Sequence, residues 1–185
     1  MPDLRHSLLR IGFGGYDGTY VSGVTANNKL ELDYGRLAQD SELLRTVVER
    51  LGSLAVQHNP DLILAVPNGA NGYAREVARQ IGVGHVLLGK SGNKQPFFVG
   101  NSKQIIEQHA RIVILEDVIN GLTSTRRVMG LSAVAERTVG VVGIWDRGDD
   151  GRRLPLPDGV ELDALVKEYI PAQLDDASEL WRYAT

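Results

Sequence analysis

The chain of 185 residues contains no cysteine. Disulfides, thiolate metal sites and cysteine nucleophiles are therefore excluded, and a reducing compartment suits it. The opening MPDLRHSLLR lacks the long apolar stretch of a secretory leader, and no later run approaches the length of a membrane span. A cytoplasmic protein with no membrane partner is expected. Charge of one sign is also missing: the formal net charge is -3, so no broad basic face for nucleic acid is implied. Arg126-Arg127 and Arg152-Arg153 are pairs rather than a patch. The four histidines, His6, His58, His85 and His109, are scattered without metal-ligand spacing and read as surface or packing residues. There are no internal repeats and no low-complexity tract.

What is present is an ordinary globular composition, 43% hydrophobic and 23% charged. The length fits one domain spanning residues 1–185, with residues 1–35 and 150–185 as cap or flanking elements. Met1–Asp33 is rich in glycine and polar residues and reads as short strands and turns of a small cap. Leu37–His58 carries apolar residues at helical spacing and stops at Asn59-Pro60. From Asp61 the pattern changes to short apolar runs alternating with helical stretches. Asp61–Val66, His85–Leu88, Ile112–Leu115 and Thr138–Trp145 read as strands. Tyr73–Ile81 (ended by Gly82), Ser124–Leu131 and Leu162–Tyr169 read as helices, and Lys103–His109 as a weak helix or edge segment. Lys90–Gly100 reads as a mobile loop. This alternation predicts an α/β fold with a doubly wound, mostly parallel sheet. Ligands of such sheets sit at the carboxyl ends of the strands, so the loops after Val66, Leu88, Leu115 and Trp145 are the places for function.

The third of these carries the strongest chemistry. Four apolar residues deliver Glu116 and Asp117, which on extended backbone point to opposite sides. Asn120-Gly121 makes a tight turn, and Thr123, Ser124 and Thr125 follow where a helix begins. Free backbone N–H groups and the helix dipole there suit a phosphate. Carboxylates a few residues earlier suit ribose hydroxyls or a magnesium ion. The plainer alternative is a turn with a Ser or Thr cap and two solvated acids. Lys90 and Lys94 would pass for solvated residues but for their place between two sheet strands. Trp145 ends an apolar strand and reads as core; Trp181 and Tyr183 read as packing or a dimer contact.

Glu116-Asp117-Val118-Ile119, after an apolar run and before a Ser/Thr-rich loop, resembles the phosphoribosyl pyrophosphate motif of type I phosphoribosyltransferases. Asp61–Ala74 (DLILAVPNGANGYA) resembles that family's strand and pyrophosphate loop, and Lys90–Lys94 its flexible basic loop. Thr138–Gly148, Leu154, Gly159 and Leu165 resemble the tail of the orotate branch, with Ser22-Gly23 a looser match near the start.

The resemblance implies a hooded phosphoribosyltransferase domain that is a homodimer. It also implies magnesium-dependent transfer of a phosphoribosyl group to a base, orotate foremost, with release of pyrophosphate. Glu116 and Asp117 would hold ribose hydroxyls. Asn120, Gly121, Leu122, Thr123, Ser124 and Thr125 would hold the 5'-phosphate. Val66, Pro67, Asn68, Gly69 and Ala70, with Lys90 and Lys94, would hold pyrophosphate, and Arg147 would border the base. Magnesium would be held mainly through the sugar pyrophosphate. The sequence departs from the family at Leu122 and Thr123, where two glycines are expected, so either a shifted loop or weaker phosphate binding follows. Gly89 stands where an arginine usually precedes Lys90. A binding protein without turnover, or an enzyme for a purine base, are the alternatives.

Overall fold

The computed structural model describes residues 3–12, 26–27, 34–148, 151, 153–169 and 173–174. The helices are α1 (Leu4–Gly12), α2 (Tyr34–Leu37), α3 (Ser41–Gln57), α4 (Asn71–Ile81), α5 (Ser102–Glu107) and α6 (Thr123–Met129). The strands are β1 (Ala26–Asn27), β2 (Leu62–Ala65), β3 (Gly84–Val86), β4 (Leu88–Lys90), β5 (Pro96–Phe98), β6 (Ile112–Ile119), β7 (Thr138–Asp146), β8 (Glu161–Lys167) and β9 (Gln173–Leu174).

Five strands form the central sheet in the order β3-β2-β6-β7-β8, every neighbouring pair parallel. The predicted α/β class and parallel sheet hold. Burial on both faces explains the continuous apolar runs: β2 is buried throughout, and β6 reads apolar from Ile112 to Leu115. Alternate residues serve opposite cores. Ile63, Ala65, Val113 and Leu115 pack with α3 and α4, through Val47, Leu51, Val77 and Ala78. Leu62, Leu64, Ile112 and Ile114 pack with α5 and α6, through Ile106, Val128 and Met129. Asp61 ties the strand starts together, its carboxylate accepting from Ala110 N–H at 2.9 Å and Arg111 N–H at 3.0 Å.

The chain runs from β2 outward to β3, then returns across β2 to lay down β6, β7 and β8. The direction of winding reverses between β2 and β6. In an open parallel sheet that reversal leaves a crevice at the strands' carboxyl ends.

Several elements differ from expectation. Residues 4–12 are helical, not strands and turns; Leu4 and Leu8, one turn apart, are buried. The rest of the glycine-rich stretch around Gly12–Gly18, Ser22-Gly23, and Trp181 and Tyr183 lie outside the described residues. The expected strand His85–Leu88 divides into β3 and β4, and β4 leaves the sheet to pair antiparallel with β5. Lys90–Gly100, expected to be a mobile loop, thus contains half of a hairpin. Its turn is closed by Ser91 N–H to Gln95 O and Lys94 N–H to Ser91 O, each 2.9 Å. Strand β6 runs to Ile119 rather than Leu115, because Val118 and Ile119 go on pairing with Trp145 and Asp146. Leu162–Tyr169, expected as a helix, is edge strand β8. Its apolar spacing fits either period, and pairing with β7 decides the matter. Trp145 is fully buried, as expected. Strands β1 and β9 pair antiparallel, which sets residues 26–27 beside residues 173–174. Among the described residues no helix is long and apolar enough to cross a membrane.

Candidate functional site

Two helices begin at the crevice between β2 and β6, and neither has a capping side chain. Helix α4 starts after Ala70 and α6 after Leu122, and neither residue can accept a side-chain hydrogen bond from the first turn. By contrast α3 is capped by Asp40, whose Oδ1 accepts from Leu43 N–H at 3.0 Å. The Ser or Thr cap that would have made the loop after β6 an ordinary turn is absent. First-turn N–H groups left without an internal acceptor suit an anion.

The loop before α4, Val66 to Ala70, is anchored by Val66 N–H to Leu115 O at 2.8 Å. Asn68 takes a positive φ of 82°, which turns the chain sharply. Gly69 then lies directly against Asp117: a Cβ built on Gly69 would fall 2.2 Å from Asp117 Oδ2. Only glycine lets the loop approach that carboxylate so closely. The loop after β2 and the acid at the end of β6 are thus in physical contact.

The two acids part as the alternation of β6 requires. Asp117, in phase with Val113 and Leu115, is half-buried on the α4 side against Gly69. Glu116, in phase with Ile112 and Ile114, turns toward α6 and is buried. Its carboxyl accepts a hydrogen bond from the Thr125 hydroxyl, also fully buried. Burial lifts the Glu116 pKa from its ordinary 4.5 to about 8, and the charge of Asp117 adds to the rise. The Thr125 hydrogen bond and the attraction of Lys90 work against it without cancelling it. Glu116 is therefore held toward its protonated form and holds the first turn of α6, while the Asp117 carboxyl faces the crevice against Gly69.

Leu122 resolves the question its sequence position raised. It adopts the left-handed conformation, φ 61° and ψ 12°, that a glycine would take, with its side chain buried in the second core. The backbone makes the glycine-type turn despite the Cβ, and apolar burial offsets the strain.

A small cleft lies beside this turn. It is lined by Val66, Pro67, Lys90, Lys94, Pro96, Ser124, Arg127 and Val128. The hairpin thus brings two lysines over the start of α6, opposite the loop after β2, and Arg127 adds a third cation. Gly89 has its own reason: the Phe97 ring occupies the place its Cβ would need, 2.4 Å from the nearest ring atom.

Not every expected residue joins the cleft. Arg147 is buried at the end of β7, its N–H donating to Ile119 O at 3.0 Å, and it does not line the cleft. Asn120 and Thr123 are exposed on the turn, and Gly121 accepts from Leu154 N–H at 3.0 Å through its carbonyl. Asp146, buried beside Arg147, is a residue the sequence reading passed over. It receives Arg153 and Gly148 N–H, and so shapes the loop after β7. Its place at a strand's carboxyl end was the available signal.

No family model and no curated protein sequence matches the chain. Solved structures do. Orotate phosphoribosyltransferase from Aeropyrum pernix aligns with a TM-score of 0.64 at 18% identity, over 89% of this chain and 93% of that one. Adenine phosphoribosyltransferase from Trypanosoma brucei, in complex with AMP, pyrophosphate and ribose-5-phosphate, aligns with a TM-score of 0.58 at 15% identity. That match covers 96% of this chain and 86% of that one. A hypothetical protein from Neisseria gonorrhoeae with bound ppGpp aligns with a TM-score of 0.52 at 15% identity, over 77% and 92%. With its parallel sheet, its reversal between β2 and β6 and its hairpin between β3 and α5, the chain has the type I phosphoribosyltransferase fold.

Proposed function

We propose that this protein transfers a phosphoribosyl group from phosphoribosyl pyrophosphate to a nucleobase, with orotate the foremost candidate. The observation that carries the reading is the seating of Gly69 against Asp117. It joins a candidate pyrophosphate loop to a candidate ribose-binding acid at the fold's natural crevice. The similarity to enzymes for both orotate and adenine supports the reaction type and leaves the base to experiment.

In this reading the Asp117 carboxylate accepts hydrogen bonds from ribose hydroxyls. The uncapped turn from Asn120 to Thr125 takes the 5'-phosphate on its N–H groups, with Glu116 fixing Thr125 beneath it. The N–H groups of Asn68, Gly69 and Ala70 and the lysines of the hairpin take the pyrophosphate. A ring nitrogen of the base bonds to the anomeric carbon as the bond from that carbon to the pyrophosphate oxygen breaks, and the electron pair leaves with pyrophosphate. Positive charge gathers on the sugar and negative charge on the leaving group, so the protein's work is positioning and charge stabilisation. Arg147, just past the end of β7, would act on an anionic base only through a rearrangement that exposes its guanidinium.

Magnesium fits the donor set. The Asp117 carboxyl stands at the crevice against the loop after β2, and magnesium binds through one or two carboxylates together with phosphate oxygens and water. The ion would be held mainly through the sugar pyrophosphate, with Asp117 the nearest carboxylate, and when bound would neutralise charge on the departing pyrophosphate. A homodimer is part of the proposal and is checked by sedimentation equilibrium.

A second reading, binding without turnover, is favoured by Thr123, exposed on the turn where the second glycine is expected, and by the similarity to a Neisseria gonorrhoeae protein with bound ppGpp. Pyrophosphate release in the presence of phosphoribosyl pyrophosphate, magnesium and a panel of bases separates the two. Release with orotate supports the first reading, and release with a purine alone reassigns the base. Saturable binding by calorimetry with no release from any base establishes the second.

A further inference from the structure

At the opposite end of the sheet, His58 closes the C-terminus of α3 just before β2. Its imidazole is buried, with 4% of the side chain exposed, and its Nε2 has no hydrogen-bond partner. A buried ring nitrogen without a partner is costly and calls for an explanation. Two carboxylates face it. Asp163 Oδ2 lies 3.4 Å from Nε2, and Glu161 Oε2 lies 3.7 Å from Nδ1. Both acids come from β8, two residues apart, and so point to the same face of the sheet's edge.

The surroundings are shaped for this arrangement. Gly140 of β7, paired with Glu161, lies under the ring; a Cβ there would fall 2.7 Å from His58 Cγ. Arg111 fixes the turn by donating to the carbonyls of His58 at 2.7 Å and Asn59 at 2.8 Å. Lys167 takes Asp163 Oδ1 at 3.2 Å, which leaves Oδ2 directed at the imidazole. Glu161 is largely exposed, so the cluster opens to solvent.

We propose that His58, Glu161 and Asp163 bind a divalent transition-metal ion. One ligand atom from each residue lies within 4.8 Å of the others. The His58 Nε2–Asp163 Oδ2 pair, 3.4 Å apart, would subtend about 108° at an ion about 2.1 Å from each, near the tetrahedral value, and the largely exposed Glu161 side chain would turn from Nδ1 to supply the third donor. One imidazole and two carboxylates suit zinc, with water completing the shell. The ion would pin edge strand β8 to the end of α3. It would lie about 20 Å along β7 from the crevice, given the rise of a strand, and is a structural site rather than part of the transfer chemistry.

The test uses tag-free protein stripped with a chelator and titrated with Zn2+ by calorimetry. One ion per chain should bind saturably, and the paired variant Glu161→Gln with Asp163→Asn should bind at least about tenfold more weakly, since even outer-shell losses cost that much. His58→Gln should lose binding likewise. If that variant does not fold, the surface pair decides. Asp117→Asn should bind Zn2+ as the unaltered protein does. Added Co2+ should give the strong visible absorption of a four-coordinate site. Absence of saturable binding, or equal binding by the paired variant, overturns the proposal.

Discussion

Asp117 and Gly69 make one contact from two sides, and each predicts the other's sensitivity. Asp117→Asn keeps the shape but removes the charge, and should lower the rate of pyrophosphate release by about a hundredfold. Gly69→Ala keeps the charge but inserts a Cβ into the space Asp117 occupies. The loop or the carboxylate must move, and a displacement of about 1 Å costs on the order of a hundredfold in rate. Circular dichroism should show both variants folded; unchanged kinetics in either would remove this contact from the site. Leu122 offers a reversal of an ordinary order. Leu122→Gly loses buried apolar area but relieves the positive φ, whereas Leu122→Ala loses area and keeps the strain. Urea unfolding should find the alanine variant less stable than the glycine variant by about 0.5–1 kcal/mol. The sequence could mark Leu122 as out of pattern; it could not show that the side chain has a core to enter.

The β4–β5 hairpin is the element whose character changed most between sequence and structure. KSGNKQP has the composition of a loop, yet the flanking Leu88–Lys90 and Pro96–Phe98 pair across it. Short strands with glycine and proline are hard to read from composition, because their register is set by a partner and not by periodicity. The pairing has a functional consequence. It presents Lys90 and Lys94 to the same cleft as Ser124 and Arg127, from an exposed turn. Lys90→Ala and Lys94→Ala should each raise the KM for phosphoribosyl pyrophosphate by about tenfold at low salt. That difference should shrink as salt screens these exposed charges. A salt-independent loss would point instead to collapse of the hairpin. Strand β8 shows the same limit: Glu161–Lys167 fits two periods, and only the free edge of β7 selects the extended one.

For the whole molecule, the buried acid links folding to pH. Below about pH 4.5 Glu116 is protonated both folded and unfolded. Between 4.5 and about 8 the folded chain keeps a proton that the unfolded chain has released, so raising the pH disfavours folding. Above about 8 the buried charge is fully penalised. Stability should therefore fall across that window relative to Glu116→Gln, which has no proton to lose. Urea titrations at about pH 5 and about pH 9 check this, and parallel pH profiles for the two proteins would contradict it. The sequence by itself determined the alternation of apolar runs and helices, and hence the parallel sheet. It also determined the acidic pair and the opposite facing of its members, because these follow from local periodicity along one strand. The tertiary structure alone decided that Gly69 rests on Asp117, that Thr125 holds Glu116, and that His58 meets Glu161 and Asp163 from a hundred residues away. Those contacts depend on where the winding reverses and which strands become neighbours, and sheet order is set by the packing of the whole chain rather than by any window of it.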